Sequence, residues 1–180
     1  MSTIVSQLFV SLDGVVEAPE QWHFPYYDEE MAAAVSGQLD EADILLLGRR
    51  TYEVFAASWP GRGGEVPFAD RINSMPKLVA STTLTSPAWQ NTTVIPGPVS
   101  GELAALKQGP DRHITISGSL TLVRSLLRDN LLDELHLLIH PVVLGQGERL
   151  FAGGGPTPLR LVHSATFATG VLHLIYHPGP

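Results

Sequence analysis

The feature that most constrains the fold of this chain is the alternation of short apolar runs with segments of helical periodicity. Ile4–Leu12 is a strand-length run of Ile, Val, Leu and Phe that ends at the turn signal Asp13-Gly14. In Tyr27–Ala42, apolar residues recur every four positions, as on a helix that packs against a sheet. The continuous apolar run Ile44–Leu47 is typical of a strand buried on both faces. This order predicts an α/β fold.

The rest of the chain continues the alternation. Ser100 is predicted to cap a helix over Gly101–Gln108, and a second helix is predicted from the apolar face formed by Leu120, Val123, Leu127 and Leu131. Short strands are predicted at Lys77–Ala80, Thr92–Ile95 and His113–Ser117, and long late strands at Asp133–Leu144 and Phe167–His177. The pattern predicts one domain over residues 1–180 with three α/β/α layers. Its central sheet is mixed and mostly parallel, with antiparallel C-terminal strands.

Composition limits the classes of function. The chain has 180 residues, with 11 Lys and Arg against 18 Asp and Glu, and a formal net charge of −7. This acidic balance argues against nucleic acid as a partner, because a nucleic-acid binder needs a basic surface to neutralise phosphates. No apolar run reaches the length of about 20 residues that a membrane-spanning helix needs. No signal-peptide pattern begins the chain, so a cytoplasmic protein with no membrane partner is expected.

The end of the strand at Ile44–Leu47 carries the first candidate ligand site. Gly48 allows the backbone to approach a ligand closely, and the helix that follows it offers free N–H groups at its N-terminus. Thr51 adds a hydroxyl group, and Arg49 or Arg50 can make a bidentate contact to a phosphate. A plain strand-to-helix turn with solvated arginines explains the same residues equally well.

Two further strand ends carry similar residues. Ser81 and Thr82 follow one strand, where their hydroxyl groups can hold a phosphate or can cap the next turn. Ser117-Gly118-Ser119-Leu120 follows another strand, in a pattern that suits a pyrophosphate and equally suits a capped helix. In open α/β sheets, ligands bind beyond the carboxyl ends of the strands. Three such turns therefore favour an anionic ligand at one sheet edge more strongly than a single turn does.

Several segments in order along the chain resemble a known family. Leu47–Glu53 resembles the glycine-arginine-x-threonine-aromatic-glutamate segment of dihydrofolate reductases. The whole chain is similar to the dihydrofolate-reductase-like superfamily, and most of all to the RibD C-terminal family of riboflavin-biosynthesis reductase domains. The segments that carry this similarity are Ser11–Gly14, Ser81–Leu84, Gly118-Ser119, Leu132–Leu135, Pro141–Gly147 and Leu150-Phe151.

The resemblance implies a dihydrofolate-reductase-like fold and an NADPH-dependent oxidoreductase. Its reaction would be hydride transfer from the nicotinamide to a small pterin- or pyrimidine-like heterocycle. The alternatives are the 5-amino-6-(5-phosphoribosylamino)uracil reductase of riboflavin biosynthesis and a non-catalytic homodimer that binds a nucleotide or another small ligand. The residues that match the family's cofactor site are Gly48, Arg49, Thr51, Ser81, Thr82, Ser117, Gly118, Ser119 and Leu120.

The residues nearest the chemistry are less well defined by the sequence. The segment from Asp13 to Trp22 matches the mobile segment that covers nicotinamide and substrate in the family. The candidate proton donors are Asp13, Glu17, His23 and Asp28, and of these Asp13 and Asp28 are the predicted catalytic residues. A carboxylate at the start of a helix, such as Asp28, equally suits the helix dipole.

Trp22 and Phe24, beside Tyr26 and Tyr27, are predicted to form a platform for a flat substrate. The same rings can equally form a hydrophobic cluster of the loop or a dimer contact.

Two remaining signals concern metals and assembly. His136 and His140, and likewise His173 and His177, lie four residues apart on predicted strands, so each pair shares a face. No carboxylate spacing completes a ligand set, and no metal is expected. Pro141–Leu144 and Phe151 offer apolar surface near the end of the chain, and the resemblance implies that the late strands contribute to a homodimer, which is the commonest oligomer.

Overall fold

The computed structural model describes residues 1–66 and 68–179. Within them the chain forms eight strands, β1 to β8, and five α-helices, α1 to α5. The strands are Thr3–Ser11, Ile44–Gly48, Lys77–Ala80, Thr92–Ile95, His113–Ser117, Glu134–His140, Leu159–Thr166 and Leu172–Pro178. The helices are Glu29–Glu41, Arg49–Ser58, Ala69–Ser74, Val99–Gln108 and Leu120–Arg128. Two single turns of 3₁₀ helix, Pro19–Gln21 and Phe24–Tyr26, precede α1.

All eight strands form one mixed sheet in the order β4-β3-β2-β5-β1-β6-β8-β7. The first six positions in this order pair in parallel, and β8 and β7 pair antiparallel to their neighbours. This arrangement confirms the predicted fold class. Because β1 to β6 all run in the same direction, their carboxyl ends meet at one edge of the sheet.

Helices cover the two faces of the sheet. Alternate side chains of β2 show this, because Leu46 packs in a cluster with residues of α4 and α5, including Leu103 and Leu126. Its neighbours Leu45 and Leu47 pack in a second cluster, with residues of α1, α2 and α3. Opposite faces alternate along a strand, so the two clusters lie on the two sides of one sheet. None of the described helices is both long and apolar enough to cross a membrane.

The central strands lie where the sequence predicts them. β3, β4 and β5 have the predicted bounds, and β2 extends by one residue to Gly48. The predicted capping role of Ser100 is wrong, because α4 begins at Val99, so that Pro98 is the N-cap and Ser100 lies inside the helix. The hydroxyl group of Ser100 instead donates to the carboxylate of Asp129. Helix α5 ends at Arg128, so Leu131 lies beyond it.

The C-terminal region differs most from its prediction. The predicted strand Asp133–Leu144 is shorter, since β6 ends at His140, immediately before a proline. The predicted strand Phe167–His177 begins in a turn, in which the N–H of Phe167 donates to the carbonyl of Val171 and Gly170 has a φ of 85°. The strand before this turn, β7, has no counterpart in the prediction. Only after the turn does the chain form β8.

Candidate active site at the carboxyl edge of the sheet

The carboxyl ends of five parallel strands lie side by side in the order β3, β2, β5, β1, β6. Neighbouring strands are about 4.8 Å apart, so the ends of β3 and β5 are separated by about 10 Å. The end of β6 extends about three residues further and lies about 22 Å from the end of β3. This edge therefore divides into two halves. The β3-β2-β5 half carries the hydroxyl-rich turns, and the β1-β6 half carries Asp13 and the aromatic residues.

The turns after β2 and β5 are joined directly to each other. The N–H of Gly48 donates to Oγ of Ser119 over 2.7 Å, and the N–H of Ser119 donates to Oγ1 of Thr51 over 3.1 Å. The hydroxyl group of Ser119 also donates to Oγ1 of Thr51, at 2.9 Å. The structure therefore brings these two predicted turns together into one unit.

The close approach of the two turns requires their glycines. Gly118 has a φ of 69°, and a Cβ atom placed on it would lie 3.2 Å from Cγ2 of Thr51. A Cβ atom on Gly48 would lie 3.2 Å from Oγ of Ser119. Any larger residue at either position would push the turns apart.

Helices α2 and α5 both begin at this joined pair of turns. Their N-caps, Gly48 and Ser119, make no side-chain hydrogen bond to the helix. The first N–H groups of each helix lack an intrahelical partner, and the helix dipole places positive potential there. Leu120 and Arg49 are the first residues of the two helices, so their backbone N–H groups belong to this set. Two such helix ends at one point suit an anionic ligand.

The turn after β3 joins the same half of the edge through Arg49. Its Nη1 donates to Oγ1 of Thr83 over 2.6 Å, and its Nε pairs with Glu53 over 2.8 Å. The hydroxyl group of Ser81 accepts from the N–H groups of Thr83 and Leu84, so it caps its own turn. Thr82 is exposed beside it. The predicted phosphate-binding residues are thus contiguous, with the guanidinium group of Arg49 between two of the turns.

Asp13 lies two residues beyond the end of β1, where its hydrogen bonds connect the loop after β1 to the loop after β6. Its carboxylate accepts from the hydroxyl group of Ser11 at 2.6 Å and from the N–H groups of Leu144 and Gly145 at 3.1 and 2.9 Å. These hydrogen bonds, led by that from Ser11, hold the pKa of Asp13 well below its usual range. Asp13 is therefore ionised at neutral pH.

The other predicted catalytic carboxylate, Asp28, lies at the N-cap of α1. Its Oδ1 accepts from the N–H of Met31 over 2.9 Å. This contact is the helix-capping role that its position in the sequence equally suggested. Asp13 and Asp28 thus fix the two ends of the segment that carries the aromatic residues.

The aromatic residues of this segment pack around His140, the last residue of β6. The ring centroids of Trp22 and Tyr26 lie 5.1 and 5.6 Å from that of His140, both edge-on. His23 stacks on Phe9 of β1 at 4.6 Å, and Phe24 tilts against His23 at 4.2 Å. Trp22 is therefore half-buried in the cluster, whereas Phe24 is exposed at its rim. The predicted substrate residues belong to one aromatic cluster formed by Phe9, Trp22, His23, Phe24, Tyr26 and His140.

Two histidines within this cluster are buried, His140 completely and His23 with 7% of its surface exposed. Burial lowers the pKa of His140, and it lowers the pKa of His23 to about 4 with a further contribution from His140. Both rings are therefore neutral at pH 7. The spacing of the histidines in the sequence indicates His140 only as a candidate metal ligand. A polar residue at the end of an apolar strand, directly beside Ser11 of β1, is the signal that points to a site here.

Comparison with known proteins identifies a family. The family model of the RibD C-terminal domain matches residues 2–173. The protein YyaP of Bacillus subtilis (strain 168) is 29% identical over 97% of this chain and 94% of its own length.

Two solved structures share the fold. One, from Shewanella sp. PV-4, has a TM-score of 0.78 at 20% identity and covers 99% of both chains. The other, RibD of Acinetobacter baumannii, has a TM-score of 0.71 at 18% identity over 100% of this chain and 59% of its own.

Proposed function

The chain belongs to the RibD C-terminal domain family, a family of reductases, and from this premise we propose that it is an NADPH-dependent reductase. RibD-like reductases generally use a nicotinamide cofactor. The proposed substrate is a small planar heterocycle of the pterin or pyrimidine type. The observation that carries the proposal is the pair of uncapped helix N-termini at the joined turns of β2 and β5.

The residues of the β3-β2-β5 half fit a dinucleotide with several phosphates. The turn glycines leave no Cβ atom in the way, and the N–H groups at the starts of α2 and α5 would bind the pyrophosphate. Arg49, which donates to Thr83, would bind the additional phosphate that distinguishes NADPH from NADH, together with Ser81 and Thr82 of the same turn. Because the chain carries a net charge of −7, an anion has to be held by such local positive groups.

In the proposed reaction a C=N or C=O bond of the substrate gains a hydride at carbon and a proton at nitrogen or oxygen. NADPH, when bound, supplies the hydride and becomes NADP⁺. The chain's own residues orient the substrate and exclude water, which is the role proposed for Trp22 and Phe24. Asp13 accepts hydrogen bonds from Ser11, Leu144 and Gly145, so in this proposal it positions the segment from Asp13 to Asp28. Asp28 stays the predicted carboxylate for proton delivery.

The first test of the proposal is cofactor binding, with NADPH and NADH compared by fluorescence and by thermal shift. At about 100 times Kd, a ligand that binds only the folded state stabilises it by about 2.7 kcal/mol. Arg49→Ala should weaken NADPH binding by about tenfold or more, because hydrogen bonds to charged groups contribute about 1.5–3 kcal/mol.

Arg128→Ala is the control for this substitution, since Arg128 is an exposed arginine at the C-terminal end of α5, away from the joined turns. It should leave NADPH affinity unchanged. Equal affinity of wild type and Arg49→Ala would contradict the assignment of this turn. Failure of the wild type to bind either nucleotide would contradict the reductase proposal itself.

A second candidate is reduction of the phosphorylated aminopyrimidine of riboflavin biosynthesis. The observation that favours it, besides the family, is a cation beside the aromatic segment. Nε of Arg149 donates to the carbonyl of Asp13 over 3.0 Å, and its side chain remains 46% exposed. If Arg149 binds a ribose 5′-phosphate, Arg149→Ala will raise KM for the phosphorylated pyrimidine and not for its dephosphorylated form.

We also propose a homodimer, and its candidate surface is the β7-β8 hairpin. β7 is an edge strand with most residues exposed, and Leu161, Val162 and Leu172 expose 49%, 41% and 36% of their surface. An open edge with apolar side chains is prone to pair with another chain. Light scattering at micromolar concentration should give twice the mass of the 19.4 kDa chain. Val162→Asp should give the monomer, and a monomeric wild type would contradict the proposal.

A further inference from the structure

The aromatic cluster contains two buried ring nitrogens that have no hydrogen-bond partner among the described residues, Nε2 of His140 and Nδ1 of His23. We propose that Nε2 of His140 is the acceptor that binds a ring N–H of the planar heterocyclic substrate, an inference that rests on the proposed reductase function. His140 would thereby determine which heterocycles the protein accepts.

The hydrogen bonds of His140 determine what its free nitrogen can do. Nδ1 lies 2.8 Å from the carbonyl oxygen of Leu138, and a carbonyl only accepts, so Nδ1 carries the proton. Burial keeps the pKa of the ring below its ordinary value, and the neutral ring therefore presents a lone pair at Nε2. Such a nitrogen accepts a hydrogen bond from an N–H or O–H group and cannot donate one.

The surroundings of Nε2 indicate the shape of the group that it binds. The ring planes of Trp22 and Tyr26 lie nearly perpendicular to that of His140, and the Phe9 ring lies close to it, with centroids 5.6 Å apart. A flat ring with an N–H on its edge can pack against these aromatic rings and donate to Nε2 of His140. Pterins and pyrimidines that retain a lactam N–H have this combination.

The position of His140 in the sheet supports the same assignment. His140 pairs with Ser11 of β1, and β1 lies next to β5, whose turn is part of the proposed cofactor site. β6 lies two strand spacings from β5, and Ser11 lies four residues beyond Gln7, the partner of Ser117, so His140 lies about 16 Å from the end of β5. A cofactor that extends from the phosphate-binding half toward β6 would span this distance.

The segment that covers His140 is attached in a way that allows a ligand to enter. In the described part of the chain, the hydrogen bonds of residues 18–27 stay within residues 17–27, including that from Nε1 of Trp22 to the carbonyl of Glu17. Its anchors lie outside it, at Asp13 and Glu17 before it and at Asp28 after it. Trp22 can thus move away from His140 without loss of any hydrogen bond to the sheet.

A purely structural role for His140 makes a different prediction, which His173 helps to measure. His173 also has a buried Nε2 with no partner among the described residues, and its pKa is likewise lowered to about 4, chiefly by burial. It lines a cavity of about 370 Å³ near Thr3 and His113, at the amino ends of β1 and β5. His173→Phe is therefore a control with the same chemistry on the neighbouring strand, where the ring of His173 lies beside His136 and His163.

The experiment measures three affinities by fluorescence, for NADPH, pterin and 3-methylpterin, in the wild type and in His140→Phe, His140→Gln and His173→Phe. The wild type should bind pterin roughly tenfold or more tightly than 3-methylpterin, because the methyl group removes the ring N–H. His140→Phe should lose this preference and bind NADPH as the wild type does. His140→Gln retains an acceptor oxygen and should recover part of the preference for pterin over 3-methylpterin. His173→Phe should keep the whole preference.

The inference and the proposed function fail in different ways. An unchanged preference in His140→Phe, or no preference in the wild type, would overturn the role of His140 even if NADPH binds. A preference that depends on His140 in a protein that binds no NADPH would support the heterocycle site and refute the reductase. The comparison of the two pterins in the wild type needs no variant, so poor folding of His140→Phe does not prevent the test.

Discussion

The packing of the turn after β5 against the turn after β2 predicts the effect of a single methyl group. Gly118 has a φ of 69°, a left-handed conformation that costs other residues about 1 kcal/mol or more. In Gly118→Ala the new Cβ would lie 3.2 Å from Cγ2 of Thr51, so Thr51 has to move. Thr51 accepts two hydrogen bonds from Ser119, each contributing about 1 kcal/mol.

These contributions combine to a moderate loss of stability. The variant loses about 1 kcal/mol to backbone strain and part of the free energy of two hydrogen bonds. Alanine also lowers the entropy of the unfolded chain, which offsets about 0.4–1 kcal/mol of this loss. We expect Gly118→Ala to lower the free energy of unfolding by about 1–2 kcal/mol. Urea titration should show a lower midpoint with an unchanged slope, which identifies a change in stability alone.

Gly101→Ala is the matched control. Gly101 lies in α4, where its φ is not positive and a Cβ atom would meet nothing within 4 Å. Alanine favours a helix over glycine by up to about 1 kcal/mol, so this variant should be more stable than the wild type. NADPH affinity should fall only in Gly118→Ala. A Gly118→Ala protein as stable as the wild type would refute the described contact between the two turns.

Two further predictions concern buried titratable groups. Burial depresses the pKa of His23 and that of His173 to about 4, so the unfolded state binds more protons, and each histidine lowers stability by up to about 3 kcal/mol as the pH drops from about 6.5 toward 4. Urea titrations at pH 7, 6 and 5 check this, and a flat profile over that range would contradict it. Lys77, with 1% of its surface exposed, donates to the carbonyls of Asn73, Met75 and Gln90. Lys77→Met leaves these acceptors without their donor and should cost about 2–4 kcal/mol in thermal or urea unfolding, whereas wild-type stability in this variant would contradict the burial described.

The sequence predicted the central strands well because their local pattern and their burial agree. Leu45, Leu46 and Leu47 are fully buried, and a continuous apolar run has few other solutions. β7 was missed because Leu159–Thr166 is mostly exposed and contains Arg, His, Ser and Thr, which lack an apolar alternation. The start of β8 was misplaced for a different reason, because the apolar Phe167 lies in the turn at Gly170 rather than in the strand.

The two halves of the site were predictable to different degrees. That Thr51, Ser81 and Ser119 share one edge follows from the parallel order of the strands and from the rule that their carboxyl ends meet. The environment of His140 follows from no local pattern, because its neighbours come from β1 and from a segment more than 100 residues earlier. That segment reaches His140 through long-range hydrogen bonds, such as those between Asp13 and Gly145, which composition and periodicity do not reveal.

Because the two halves of the site are built differently, substrate choice can change through substitutions that leave cofactor binding unaltered. The joined turns of Gly48 and Gly118 tolerate little substitution, because each touches the other within van der Waals distance. The hydrogen bonds of residues 18–27 stay within residues 17–27, and the rings of Trp22 and Tyr26 lie beside His140. Substitutions there can reshape the pocket for a different heterocycle while the hydrogen bonds between the turns stay as they are. Exchanging Trp22 or Tyr26 should therefore alter the relative affinities for pterin and pyrimidine probes at constant NADPH affinity, and a parallel loss of both would show that the two halves are coupled.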